Sequence, residues 1–403
     1  MHFEIAIVGA GPAGATCAVA ALQNGASRVA LIDTEAFPRD KCCGDGIGPG
    51  AVALLEKIGA GHILDNRTPI EHISLSSPSG HLAKGHVPTV GGSVSRGYAI
   101  PRLHFDDGLF RHALAAGATD LTGRRCADAR FEDGRWTLEL TQAGGGKQTV
   151  TADVLIGADG ARSKVRRILG EKLNADEHSA AAIRIYARSG GRRFDALHIG
   201  FSEDINPGYG WLFPTTPNEA NIGVGMGLAA FKAAGMSLET LLADYRATLG
   251  DDLVFDEASI STFILPFASQ MPRLAHGAVN AALIGDAGSM INPLSGEGIF
   301  YGMFAGELVG RLLGQRLDAA LPEPAAAALE SYETQFRAKF GAHFQVNRTM
   351  KEATQSTLCD MVVKAAARDG KVLGDLLAVI MGDKSYVNRG TFLRIIARNL
   401  LPF

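Results

Sequence analysis

Long apolar runs are missing from this chain: no stretch approaches the roughly 18 consecutive apolar residues that a membrane span needs. Cysteine is scarce as well. Five residues, an odd number without metal-ligand spacing, argue against a disulfide framework and against a bound metal, and fit a reducing compartment. Cys42 and Cys43 are adjacent, too close in sequence for an unstrained bridge. Neither sign of charge is in excess. Thirty-nine basic residues against 42 acidic ones leave a net charge of −3, which points away from a nucleic-acid surface. The apolar N-terminus is interrupted by glycines and Pro12 and has no basic segment before it, so it does not read as a signal peptide. With 403 residues, 46% of them hydrophobic and 20% charged, the chain is globular in composition and has room for two domains. The expectation is a cytoplasmic protein that meets a membrane at most peripherally.

What the chain has in quantity is glycine, 49 residues, gathered most densely in VGAGPAGA (8–15), IGADGARS (156–163) and LIGDAGSMINPLSGEGI (283–299). Phe3 to Val8 predicts a buried strand running into the first segment. Pro12 to Asn24 predicts a helix closed by Gly25, and Arg28 to Asp33 a second strand. That β-turn-α-β unit starts a doubly wound sheet. In the turn, Gly9 permits the tight bend, Gly11 lets the backbone approach a pyrophosphate, and Gly14 allows close helix–strand contact. Asp33, 19 residues after Gly14, is placed to accept from ribose hydroxyls. The third segment follows a strand at Asn280–Ile284. There Asp286 suits the ribityl chain of a flavin, and Gly296 and Gly298 open a helix from Ile299 to Leu313 whose positive end favours a reduced isoalloxazine. The second segment follows Val154–Ile156 and carries Asp159 and Gly160, which also read as a plain turn. One such segment announces only a nucleotide. Three in this order describe one FAD wrapped by sequence-distant loops, and hence a redox enzyme.

Ile70–Leu75, Tyr98–Ile100, Trp136–Leu140 and Ile183–Tyr186 alternate apolar and polar residues, predicting antiparallel strands with one wet face. Phe105 to Ala116 predicts an amphipathic helix, Gly144–Gly146 a hairpin turn, and from about Pro322 the pattern is helical. These place an FAD-binding domain over 1–72, 96–177 and 272–330, a substrate-binding sheet domain over 73–95 and 178–271, and a helical region over 331–403. The fold class is α/β: a Rossmann-type FAD-binding domain with an inserted antiparallel-sheet substrate domain and a helical C-terminal region. Two further segments go beyond a plain nucleotide fold. PRDKCCGDGIGPGA (38–51) sets glycine between basic residues and a helix. PGYGWLFP (207–214) sets Tyr209, Trp211 and Phe213 at alternate positions, facing one side of a strand as a π-rich wall; such a cluster also reads as ordinary core.

With these motifs the chain resembles the geranylgeranyl reductase family, a branch of the p-hydroxybenzoate-hydroxylase-type flavoproteins, from residue 1 to about residue 330. The resemblance rests on the GxGxxG turn, on K-x-C-G-D-G at Lys41–Gly46, on Y-x-W-x-F-P at Tyr209–Pro214 and on GDA…NPLSGEGI. It implies flavin contacts from Gly14, Asp33, Cys43, Gly44, Gly46 and Arg102. Asp286, Gly298, Ile299 and a small residue on the strand near Cys126 complete the implied set. It further implies that Tyr209 and Trp211 line the substrate pocket and that the activity is reduction of isoprenoid C=C bonds by hydride transfer from reduced flavin. An isolated alkene has no carbonyl to polarise it, so the hydride must be matched by a proton on the less substituted carbon. Tyr209 and Trp211 suit the resulting cation character, and Cys43 is a candidate to deliver the proton or to position the alkene. Cys42 lies outside the family pattern and reads as packing.

No second glycine fingerprint is present, so the chain carries no separate nicotinamide domain. The expected reductant is NAD(P)H or a ferredoxin-type donor protein, and the expected partner a small-molecule or lipid substrate. The same scaffold supports a flavin-dependent monooxygenase or halogenase acting on an apolar aromatic or olefinic substrate through a C4a-hydroperoxide. Halogenases carry W-x-W-x-I-P where this chain has Tyr209, Trp211 and Phe213, which favours the reductase. A flavin-loaded lipid-binding protein without turnover is a third alternative. The segment TFLRIIARNLLPF (391–403) sets Phe392, Ile395, Ile396 and Leu400 beside Arg394 and Arg398, a pattern for docking on its own domain or for resting on a bilayer.

Overall fold

The computed structural model describes residues 1–89, 96–142, 144–318, 325–353, 358–380 and 389–400. Residues 90–95 of the expected sheet segment, Pro322, residues 401–403 and the side chains of Phe392 and Leu400 lie outside what is described. The apolar N-terminal run forms the strand His2–Val8, buried on both faces from Ile5 onward, as a central parallel strand must be. It pairs in parallel with Val29–Ile32 on one side and Lys147–Gly157 on the other. The parallel series continues to Thr119–Leu121 and to Ala281–Leu283. All three glycine segments therefore leave the carboxyl ends of three adjacent strands, the edge at which open α/β sheets bind ligands. Arg124–Glu132 and Arg135–Gln142 extend Lys147–Gly157 as an antiparallel ribbon, and Gly144 and Gly145, both at positive φ, lie in the connecting turn.

Pro12–Gln23 lies against the helix Ile299–Asp318, on which Gly302, Gly306, Gly310 and Gly314 recur at every fourth residue. That spacing collects the glycines on one face. A Cβ at Gly306 would lie 2.2 Å from the Ala13 carbonyl oxygen, at Gly310 2.4 Å from that of Cys17, and at Gly314 2.5 Å from that of Ala21. The two helices that start at the first and third glycine segments thus run parallel, backbone against backbone, with their N-termini at the same edge. On the far side Tyr301, Phe304, Phe336, Phe340 and Phe344 interleave between Ile299–Asp318 and Ala325–Ala353.

A second, seven-stranded sheet runs in the order Leu253–Pro266, Ser179–Ser189, Glu219–Gly227, Gly208–Thr216, Leu197–Gly200, His72–Ser76, Leu82–His86. It is antiparallel except where Leu197–Gly200 meets His72–Ser76. Two expectations drawn from alternation need correction. Ile183–Tyr186 has no wet face, because Arg184, 1% exposed, is covered by an ion pair with Asp40 and stacks on the Tyr186 ring. Tyr98–Ala99 is buried too, and pairs with Gly46–Ile47 in a separate two-stranded ribbon. Alternation reports side-chain chemistry, and a buried cation with a partner breaks its link to exposure. The helix expected from Phe105 begins three residues earlier, spanning Arg102–Ala115.

Leu358–Arg368 and Gly370–Ile380 turn back over the second sheet, packing Val363, Leu373 and Leu377 with Ile73, Leu75 and Val87. Arg389–Leu400 docks on Leu358–Arg368, buries Ile395, and directs Arg394 and Arg398 to Asp369; Leu393 and Ile396 stay on the surface. Among the described residues no helix is long and apolar enough to cross a membrane.

Candidate active site

A cavity of about 460 Å³ runs from the first glycine turn to the face of the seven-stranded sheet. Gly9, at φ +107°, turns the chain so tightly that a Cβ there would meet the Ala158 carbonyl oxygen at 2.1 Å, bringing the first and second segments into backbone contact. Gly11 begins Pro12–Gln23 without any side-chain cap, so the N–H groups of the first turn remain available to an anion. Arg39 stands over this turn, 3.3 Å from where a Gly11 Cβ would lie, and bonds Asp106 at 2.9 Å. Its only mark in the sequence was membership of a basic, glycine-rich loop. Asp33 follows the second strand, accepting from Ala10 N at 2.9 Å and Glu35 N at 3.0 Å.

Two expected flavin contacts also carry structural duties. Gly14 does not line the cavity; a Cβ there would lie 1.8 Å from the Gly9 carbonyl oxygen, so its work is the close helix–turn approach. The Asp159 carboxylate accepts from Ser163 Oγ at 2.5 Å and from the Lys164 and Val165 N–H groups at 2.6 and 3.1 Å. It thereby ties down the first turn of the short helix Lys164–Ile168, whose N-cap is Ser163, while still lining the cavity. Cys126 does line this end of the cavity, with its thiol pushed up to about 12 by burial.

The loop 38–51 closes the other side. Lys41 Nζ meets Asp286 Oδ2 at 2.9 Å and ties the loop to the third segment. Cys43, Gly44, Gly46, Gly298 and Ile299 all line the cavity. Arg102, buried, holds Asp106 through two bonds of 2.5 and 2.7 Å and also reaches the Cys43 thiol. Burial raises the pKa of Cys43 and outweighs the pull of Arg102, so the thiol is its resident form. Cys42 packs, as expected, but does so on the cavity wall, donating to the Ser261 carbonyl at 3.1 Å with its thiol pushed up to about 11 by burial. These residues fit FAD. An uncapped helix start beneath a cation suits the pyrophosphate, a carboxylate after the second strand suits the ribose, and glycine walls at 44–46 and 296–298 admit a flat ring.

From there the cavity becomes apolar. Tyr209, Trp211 and Phe213 enter it from Gly208–Thr216 with successive ring centroids 6.2 Å apart. Ile73, Ile199, Phe201, Phe267 and, from the C-terminal region, Leu377 continue the wall. The Tyr209 hydroxyl donates to the Ser295 carbonyl, and Trp211 Nε1 donates to Asn221 Oδ1 at 2.9 Å, so the polar tips are tied back and the rings form the lining. Two ionisable groups interrupt it. Glu297 faces the cavity but is otherwise enclosed by protein, and burial lifts its carboxyl to about 7. Lys351 sits 4.1 Å from the Phe267 ring centre, and burial lowers its ammonium to about 8. Glu297 lay in plain view inside the GEG motif, whereas nothing in a long helical pattern marks Lys351. Among the described residues no group of three His, Cys, Asp or Glu side chains could hold a metal.

Residues 2–346 match the FAD binding domain family. The chain belongs to that family. This FAD-dependent oxidoreductase is 35% identical over 318 residues to the menaquinone reductase of Mycobacterium tuberculosis (strain ATCC 25618 / H37Rv), spanning 74% of each chain. It is 28% identical over 359 residues to digeranylgeranylglycerophospholipid reductase 1 of Methanopyrus kandleri, spanning 87% of this chain and 90% of that one. Its fold matches that of a geranylgeranyl bacteriochlorophyll reductase-like protein from Thermoplasma acidophilum with a TM-score of 0.77 at 20% identity, covering 98% and 96% of the two chains. The family match, the fold and these relatives together make it an FAD-dependent oxidoreductase.

Proposed function

We propose that this protein reduces carbon–carbon double bonds of an isoprenoid substrate of the geranylgeranyl or prenyl-lipid type. The observation that carries the reading is one cavity continuous from the nucleotide turn to a chamber walled by Tyr209, Trp211 and Phe213. Relatives named for menaquinone and for digeranylgeranylglycerophospholipid, both isoprenoid-bearing, support the same substrate class. The first turn, Asp33, Arg39 and the glycine walls would hold FAD, which when reduced would supply the hydride. The chain's own residues supply the remainder. The Cys43 thiol holds the proton that the less substituted carbon must receive. Arg102 sits against that thiol and offsets the charge of the thiolate left behind, which is reprotonated from water. The faces of Tyr209 and Trp211 stabilise cation character on the other carbon by about 1–2 kcal/mol in a dry chamber. Electrons enter from an external donor, NAD(P)H or a ferredoxin-type protein.

Anaerobic incubation of the flavin-loaded protein with a reductant and a geranylgeranyl lipid, read by mass spectrometry, tests this. The expected product gains one hydrogen molecule per reduced bond. An oxygenated product formed only in air overturns the reading in favour of the oxygenase chemistry. Reducible flavin without turnover of any olefin overturns it in favour of lipid binding.

A further inference from the structure

Behind the cavity wall, the loop that carries Cys43 and the strand that carries Trp211 are joined by two side chains that do not themselves line the cavity. Asn221, fully buried on Glu219–Gly227, donates through Nδ2 to the Cys43 carbonyl at 2.7 Å and to Asp45 Oδ2 at 2.8 Å. Its Oδ1 accepts the Trp211 indole N–H at 2.9 Å. Asp45 Oδ2 also accepts from the Tyr186 hydroxyl at 2.6 Å. Asp45 stands at φ +63°, in the left-handed region that Asp tolerates better than most residues, and these bonds fix the loop in that conformation. The amide is matched to its surroundings: two acceptors face its nitrogen and one donor faces its oxygen. A carboxylate lacks the donor, an aliphatic side chain lacks both groups, and glutamine adds a methylene to a fully packed site.

We propose that Asn221, anchored by Asp45, is a positioning residue that sets the Cys43 loop and the Trp211 ring in fixed relation on the two sides of the reacting bond. The catalytic consequence rests on the alkene-reductase reading; the clamp itself is geometry and is readable without turnover. The charged and titratable groups that face Asp45 are Arg184 and Tyr186 from Ser179–Ser189, Arg102 from Arg102–Ala115, and Cys43 from its own loop.

The test uses the flavin-loaded protein carrying Trp136→Phe, which leaves Trp211 as its one tryptophan. Asn221→Leu removes all three bonds. It is expected to keep flavin affinity within about twofold, shift the Trp211 emission, and lower kcat by roughly a hundredfold with KM little changed. Asn221→Asp keeps the acceptor for the indole and regains a donor only while the adjacent carboxylates share a proton. Its emission and turnover are therefore expected to approach those of the parent in acid and to be lost as pH rises, a profile that general loosening of the fold does not produce. Unchanged Trp211 emission in Asn221→Leu, or an Asn221→Asp variant whose emission does not depend on pH, overturns the clamp. If Asn221→Leu fails to fold, the emission profile of Asn221→Asp decides. If the parent reduces no alkene, the emission data still decide the clamp, and only the proposed reaction fails.

Discussion

The Asp45 carboxyl is lifted from its ordinary 3.8 to about 6 because desolvation outweighs the bonds from Tyr186 and Asn221 and the attraction of Arg102 and Arg184. A folded-state value above the unfolded one means that the associated stability is fully present below about pH 4 and is lost as pH rises through about 6. The shift corresponds to about 3 kcal/mol across that window. Asp45→Asn removes this dependence, so the difference in Tm between variant and parent should become more positive from pH 4 to pH 8; a flat difference in thermal unfolding would count against the buried charge. Trp211 offers a second test. Trp211→Ala loses both the ring and the indole bond, and should slow alkene reduction about tenfold or more while leaving the flavin spectrum intact. An unchanged rate in anaerobic single turnovers would remove its cation-stabilising role. Both residues stand in recognised motifs, yet the sequence could not show that they share a partner. Asn221 is an unremarked position in a strand, and its chemistry becomes visible only once the Cys43 loop and the Trp211 strand both face it.

The helices Pro12–Gln23 and Ile299–Asp318 meet backbone to backbone. The G-x-x-x-G recurrence through Gly302, Gly306, Gly310 and Gly314 was present in the sequence, but spacing alone does not say which surface a glycine face meets. The answer is the carbonyl oxygens of Ala13, Cys17 and Ala21, which cannot move aside as a side-chain tip can. Gly310→Val should cost about 3 kcal/mol or more through overpacking, and should also weaken flavin binding, because the two helix starts that bracket the cofactor are forced apart. Thermal unfolding and flavin titration read the two effects. Gly341→Ala is the counterpart. It lies on Ala325–Ala353, where a Cβ meets nothing within 4 Å, and should be neutral or stabilise by up to about 1 kcal/mol.

Over the whole molecule, the cavity is an assembly of the parallel sheet's carboxyl edge, one face of the seven-stranded sheet and a helix from beyond residue 358. No one of these parts encloses it. Leu377, on Gly370–Ile380, forms part of the apolar wall far in sequence from every cofactor motif. Leu377→Trp should raise KM for the longest prenyl substrates by about tenfold while flavin affinity stays unchanged, since it fills the chamber without touching the nucleotide end. Steady-state kinetics over a series of chain lengths would show this, and an effect equal at all lengths would place Leu377 outside the substrate path.

The nucleotide end of the site was legible in the order of residues because its logic is local. A strand, a glycine turn and the first turn of a helix span a few residues, and the register of Asp33 follows from strand length. Even there, Gly14 and Asp159 mark a boundary: the residue type suited a ligand contact, but the sequence did not show that Gly14 packs against the Gly9 carbonyl or that Asp159, on the cavity wall, also bonds the start of a neighbouring helix. The aromatic wall of Tyr209, Trp211 and Phe213 was legible too, but its completion by Phe267 and Leu377, the Lys41–Asp286 tie across 245 residues and the buried Arg184–Asp40 pair came from folding alone. Periodicity carries no information over such separations, and burial of a polar group depends on a partner that the neighbouring sequence does not name.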